Sequence, residues 1–128
     1  PWARYLIHLI QGPEYAFQPR NQAQGQHWTT RYPSTALLPM MGLVQLARGL
    51  ELEQITQPLL VLYSPNDQVV DADLIRKAFD RFGSPNKQKV AVADVEDPEQ
   101  HTLAGRILSP TTTEQVADTI LDFIHRLP

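Results

Sequence analysis

The sequence predicts an α/β chain with parallel strands, on three observations. Leu59-Leu60-Val61-Leu62-Tyr63 is apolar at five consecutive positions, between Pro58 and Ser64-Pro65-Asn66-Asp67. Such a run buries both faces of a strand, as a central parallel strand covered by helices does. Lys89 to Val95, rich in small and β-branched residues, reads as a second short strand. A helical pattern separates the two and another follows them. The second half therefore runs strand, helix, strand, loop, helix, which is the alternation of parallel strands joined by right-handed crossovers.

The elements follow in order. Trp2, Leu6, Leu9 and Ile10 fall on one stripe of a helix, with Arg4, His8 and Gln11 on another. Gly12-Pro13 ends it, the glycine as a left-handed cap and the proline as a residue that cannot continue. From Glu14 to Tyr32 the composition shifts to Gln, Asn, Gly and Pro with scattered aromatics, which predicts a loop held down by Tyr15, Phe17, Trp28 and Tyr32. An apolar helix is expected from Pro39 to Arg48. Asp71 caps the helix carrying Leu74, Ile75, Ala78, Phe79 and Phe82, and Gly83-Ser84-Pro85 stops it. Thr111-Thr112-Thr113-Glu114 has the spacing of a capping box, opening a helix that buries Val116, Ile120, Leu121, Ile124 and Leu127. The expected division is residues 1–50 as a helical and loop segment and 51–128 as the strands and helices of the core.

With 128 residues, 42% of them hydrophobic, and a net charge of −3, the chain is expected to be globular and soluble. Fourteen acids against eleven bases disfavour a nucleic-acid scaffold, where a basic face must neutralise phosphates. With Pro58 counted, the apolar run to Tyr63 is six residues, far short of the ~20 that span a bilayer. Cysteine is absent, which excludes disulfides and thiolate metal sites and fits a cytoplasmic location. The chain opens at Pro1-Trp2 without an initiator Met, and two strands are too few for a stable sheet. The expectation is a portion of a longer protein.

In open parallel sheets, ligands bind at the carboxyl ends of the strands. Asp67 follows the first strand and His101 lies in the loop after the second. A carboxylate that orients an imidazole makes it a better general base and stabilises its protonated form. Each residue alone also has an ordinary explanation: Pro-Asn-Asp is turn chemistry, and loop histidines are common. His8 reads as solvated, His125 as a cation favoured in a last helical turn, and His27-Trp28 as a loop anchor. The histidine spacings hold no HxxxH pair and predict no metal site. Asp94, Glu96, Asp97 and Glu99 lack the spacing of a calcium loop and read as a solvated turn.

Pro58-Leu59-Leu60-Val61-Leu62-Tyr63-Ser64-Pro65-Asn66-Asp67-Gln68-Val69-Val70 resembles the late strand and acid loop of α/β-hydrolases: Pro, an apolar strand, a short turn, Asp, one residue, then two valines. Gln100-His101-Thr102-Leu103 followed by a helix resembles their histidine loop. Tyr32-Pro33-Ser34, an apolar helix and Ile55-Thr56-Gln57-Pro58 resemble the cap exit of esterases of the monoacylglycerol-lipase and serine-aminopeptidase-like branch. The likeness covers residues 30–128 well and the first thirty loosely. Two departures stand out: Ser64 where many members carry Gly, and the long stretch Ala104 to Pro110 between His101 and the last helix.

The resemblance implies the C-terminal part of a three-layer α/β-hydrolase sandwich, contributing its last two parallel strands with flanking helices and preceded by a helical cap segment. It gives Asp67 the acid role and His101 the base role of a Ser-Asp-His triad, with no cofactor and no metal. The nucleophile of that family stands in Gly-x-Ser-x-Gly, and none of Ser34, Ser64, Ser84 or Ser109 does. The implied activity is cleavage of a small-molecule ester with an apolar acyl group, a preference suggested by Met40, Met41, Leu43 and Val44 and by Trp2, Tyr15, Phe17 and Trp28. This chain by itself is then expected to be inactive, its partner being the missing N-terminal half of the fold, with self-association through exposed sheet edges as a further outcome. Two alternatives stand beside it: a non-catalytic α/β binding module, and another reaction on the same fold (peptidase, thioesterase or dehalogenase).

Overall fold

The computed structural model describes residues 2–127, and the chain divides into two compact units with the boundary between Leu50 and Glu51. In the first unit, helix α1 (Trp2–Gln11) ends at Gly12, whose φ of +74° needs no Cβ relief and whose N–H donates to His8 O at 3.0 Å. Leu9 and Ile10 of the expected apolar stripe are exposed, and the Trp2 and Leu6 side chains lie outside the described residues. The stretch expected as loop contains three short elements. Strand β1 (Glu14–Ala16) pairs antiparallel with β2 (Arg31–Pro33), and helix α2 (Gln22–His27) lies between them. Tyr15 stands opposite Tyr32, their ring centroids 5.2 Å apart, and Arg31 pairs with Glu14 at 2.8 Å. Cross-strand aromatic and opposite-charge pairs of this kind stabilise even a short ladder. Asn21 caps α2 by accepting the Gln24 N–H at 2.8 Å.

Helix α3 (Leu37–Arg48) begins two residues before Pro39, after a 3₁₀ turn over Ser34–Ala36. Pro39 therefore sits in the first turn, where a backbone N–H has no intrahelical acceptor to lose. No side chain of α3 is buried.

In the second unit, β3 (Leu59–Tyr63), α4 (Ala72–Arg81) and β4 (Lys87–Ala91) form a parallel strand-helix-strand unit, with Leu59 opposite Lys87 and Tyr63 opposite Ala91. Helix α5 (Thr113–His125) completes it. The architecture is mixed α/β: two two-stranded sheets, one of them parallel, and five α-helices among the described residues. Asp71 caps α4 as expected, its carboxylate accepting from Asp73 N at 2.8 Å and Leu74 N at 3.2 Å. All five residues of β3 are half-buried, so the expected burial of both faces is not reached.

The core is Val92, Val95 and Val116, with Leu62, Leu103 and Ala104 packed against it. Of the face expected from α5, Val116 is buried together with Phe123, whereas Ile120, Leu121 and Ile124 are exposed. The helix has turned its i, i+7 pair inward. Among the described residues no helix is long and apolar enough to cross a membrane.

Candidate functional site

Two loops at the carboxyl end of the parallel pair build the site. The first leaves β3 through Ser64, a buried residue whose Oγ accepts the Asn66 N–H at 3.2 Å. Ser64 has no positive φ, so the turn needs no glycine at that position. The turn delivers Asp67, whose Oδ1 accepts the N–H groups of Val69 at 2.8 Å and Val70 at 2.9 Å. Those two bonds orient the carboxylate and leave Oδ2 for another donor.

That donor is His101. Its Nδ1 lies 2.9 Å from Asp67 Oδ2, so the structure brings together the acid and base residues picked out in the sequence. An ionised carboxylate only accepts, so Nδ1 carries a proton, and in the neutral ring Nε2 is then the nitrogen with the lone pair. The Asp67 side chain is 5% exposed and that of His101 45%. Burial works to raise the Asp67 pKa, but the Val70 N–H, the His101 ring and the Val69 N–H outweigh it and hold the carboxyl below its ordinary value. The geometry is that of a carboxylate fixing an imidazole tautomer through Nδ1.

The two loops are also tied to each other. Gln68 N donates to Glu99 O at 2.9 Å, and its side chain reaches Pro98 O at 3.4 Å. The histidine loop has its own brace, in a residue read from sequence as solvated. Asp97 is 3% exposed, and its carboxylate accepts from Glu99 N at 3.2 Å, His101 N at 3.3 Å and Thr102 N at 2.8 Å. Burial works to raise its pKa as well, and the bonds from Thr102, Glu99 and His101 hold it low. A charged residue among other acids carries no local signal of burial, so nothing in the sequence pattern marked it out.

The capping box expected at the start of α5 does not form. Thr112, the residue before the helix, has helical φ and ψ and makes no side-chain cap bond. Thr112 Oγ1 donates to Leu103 O at 2.7 Å, and Thr113 Oγ1 accepts from Gly105 N at 2.8 Å and donates to Ser109 O at 2.9 Å. Buried Ser109 accepts the Asp97 N–H at 3.2 Å and donates to Thr102 O. These hydroxyls pin the long stretch after His101 rather than serve the helix.

None of the four serines is hydrogen-bonded to His101. Ser64 and Ser84 serve turns, Ser109 braces the histidine loop, and Ser34 lies in the 1–50 unit. His8, His27 and His125 are exposed, His8 and His27 in the 1–50 unit and His125 in the last turn of α5. A surface groove along α3, lined by Leu38, Met41, Val44 and Arg48, includes neither residue of the pair. Comparison with family models, with curated proteins and with solved structures finds no match to this chain.

Proposed function

We propose that this chain carries the acid and base of a serine hydrolase of α/β-hydrolase type that cleaves carboxylic esters with an apolar acyl group. The carrying observation is the 2.9 Å contact between His101 Nδ1 and Asp67 Oδ2 at the carboxyl end of a parallel strand pair. Asp67 holds the ring through Nδ1, and the His101 side chain is half exposed. In the reaction, a serine from outside residues 1–128 attacks the ester carbonyl and gives its proton to His101 Nε2. The imidazolium, stabilised by Asp67, then protonates the leaving alcohol. His101 next takes a proton from water, which attacks the acyl-enzyme, releases the acid and restores the serine. The apolar acyl preference is the one the sequence suggests from its Met40, Met41, Leu43 and Val44 run.

The test is hydrolysis of p-nitrophenyl butyrate by the intact cellular protein. Asp67→Asn is expected to lower kcat by about 10⁴-fold, and His101→Ala by a comparable factor. Unchanged rates in both variants reject the assignment. The binding-module reading draws on the absence of a serine bonded to His101; an intact protein that neither hydrolyses the ester nor reacts with a fluorophosphonate establishes that reading instead.

A further inference from the structure

The His101 ring is half exposed, so side-chain packing does little to hold it. Its position depends on Asp67 at one end and on its own backbone at the other. That backbone is unusual: Gln100, immediately before it, has a φ of +54°, a conformation that costs a residue with a Cβ. The Gln100 side chain donates to Val95 O at 2.7 Å and Asp97 O at 3.1 Å, and its N–H donates to Asp97 O at 2.8 Å. Directly beneath lies the Asp97 carboxylate, buried and without a Lys or Arg partner among the described residues. A buried charge is costly unless fully hydrogen-bonded. Here the bonds come from the N–H groups of Glu99, His101 and Thr102, the candidate base and its neighbours. Both carboxylate oxygens are used, so an Asn would turn its NH₂ toward at least one of those N–H groups.

We propose that Asp97 is the positioning residue of His101: by gathering the N–H groups of Glu99, His101 and Thr102 it fixes the strained backbone from which the imidazole reaches Asp67. This role rests on the reading of His101 as the base, but it is tested without hydrolysis. In ¹⁵N-labelled protein, imidazole shifts report the tautomer and solvent exchange reports the Nδ1–H bond to Asp67. Asp97→Asn is expected to shift the ring away from the Nδ1–H tautomer and to speed exchange of that proton about 10- to 100-fold, the factor that a hydrogen bond to a charged group carries.

A variant that melts at lower temperature yet keeps the parental tautomer and exchange rate while folded overturns the proposal and makes Asp97 merely structural. Should Asp97→Asn not fold, the parent protein decides. Its His101 and Thr102 amides are expected to exchange at least about tenfold slower than in an open loop, and open-loop rates overturn the proposal. The failures are separable: unchanged hydrolysis in the Asp67 and His101 variants rejects the enzyme and leaves the ring geometry as measured, whereas a parental tautomer in Asp97→Asn rejects the positioning role alone.

Discussion

Asp67 and Asp97 are both carboxylates held in the ionised form by backbone N–H groups, and each has a use for its charge. Asp67 spends one oxygen on Val69 and Val70 and offers the other to His101; Asp97 uses both on the chain around His101. In both, burial works to raise the pKa and hydrogen bonding more than offsets it, so the folded values lie below the ordinary aspartate value. A depressed folded pKa means that the unfolded chain binds the proton more readily. The associated stability is fully present above the unfolded value, near pH 4, and is lost as pH falls through the folded values below it. The urea midpoint is therefore expected to fall as pH drops below about 4, and to fall less steeply in Asp97→Asn, which has one linked carboxyl fewer. Identical acid slopes in parent and variant contradict this assignment.

At the scale of elements, local chemistry was legible wherever the partner lies within a few residues. The five-residue apolar run of β3 and the Asp71 cap are of this kind, since an Asx cap needs only the next turn. Long-range partners were not legible. Strand β4 begins at Lys87, two residues before the apolar pattern suggests, because its lysines have distant uses. Lys87 Nζ donates to the carbonyls of Phe79, Asp80 and Phe82 at the end of α4, a cation at a helix C-terminus, and both Lys87 and Lys89 lie against the Phe79 ring. The threonines before α5 mislead for the same reason, their acceptors being Leu103 and Ser109.

The end of α4 is also where one glycine is needed. Gly83 N–H donates to Leu52 O, and a Cβ on Gly83 would lie 1.9 Å from Glu53 O. Gly83→Ala must push two backbone segments apart, at an expected cost of about 2–3 kcal/mol in urea unfolding. Gly42, inside α3, has nothing within 4 Å of its Cβ position. Gly42→Ala is expected to raise stability by up to about 1 kcal/mol through helix propensity alone. Equal effects of the two substitutions would contradict the close approach.

On the scale of the whole 51–128 unit, the Asp67–His101 pair stands on a small core. Val92 is 1% exposed and packs with Val95 and Val116, so it joins the end of the parallel pair to α5. Its N–H also donates to Tyr63 O at 2.9 Å, extending the pairing to the last residue before the turn that delivers Asp67. Val95 belongs to the same cluster and its carbonyl accepts the Gln100 side chain, so one apolar cluster underlies both loops of the site. Few other apolar side chains share the load: Phe123 is the remaining buried hydrophobic among the described residues. Val92→Ala, which removes two methyl groups from that centre, is expected to cost about 2 kcal/mol in urea unfolding. The backbone bond to Tyr63 survives the substitution, and so do the polar bonds that aim Asp67 and His101. The variant is therefore expected to keep the parental Nδ1–H tautomer of His101 below its melting transition, while that transition moves down. A Val92→Ala protein that loses the tautomer while still folded would show that packing aims the site, and would contradict the division of labour in which the apolar cluster supplies stability and the carboxylates supply direction.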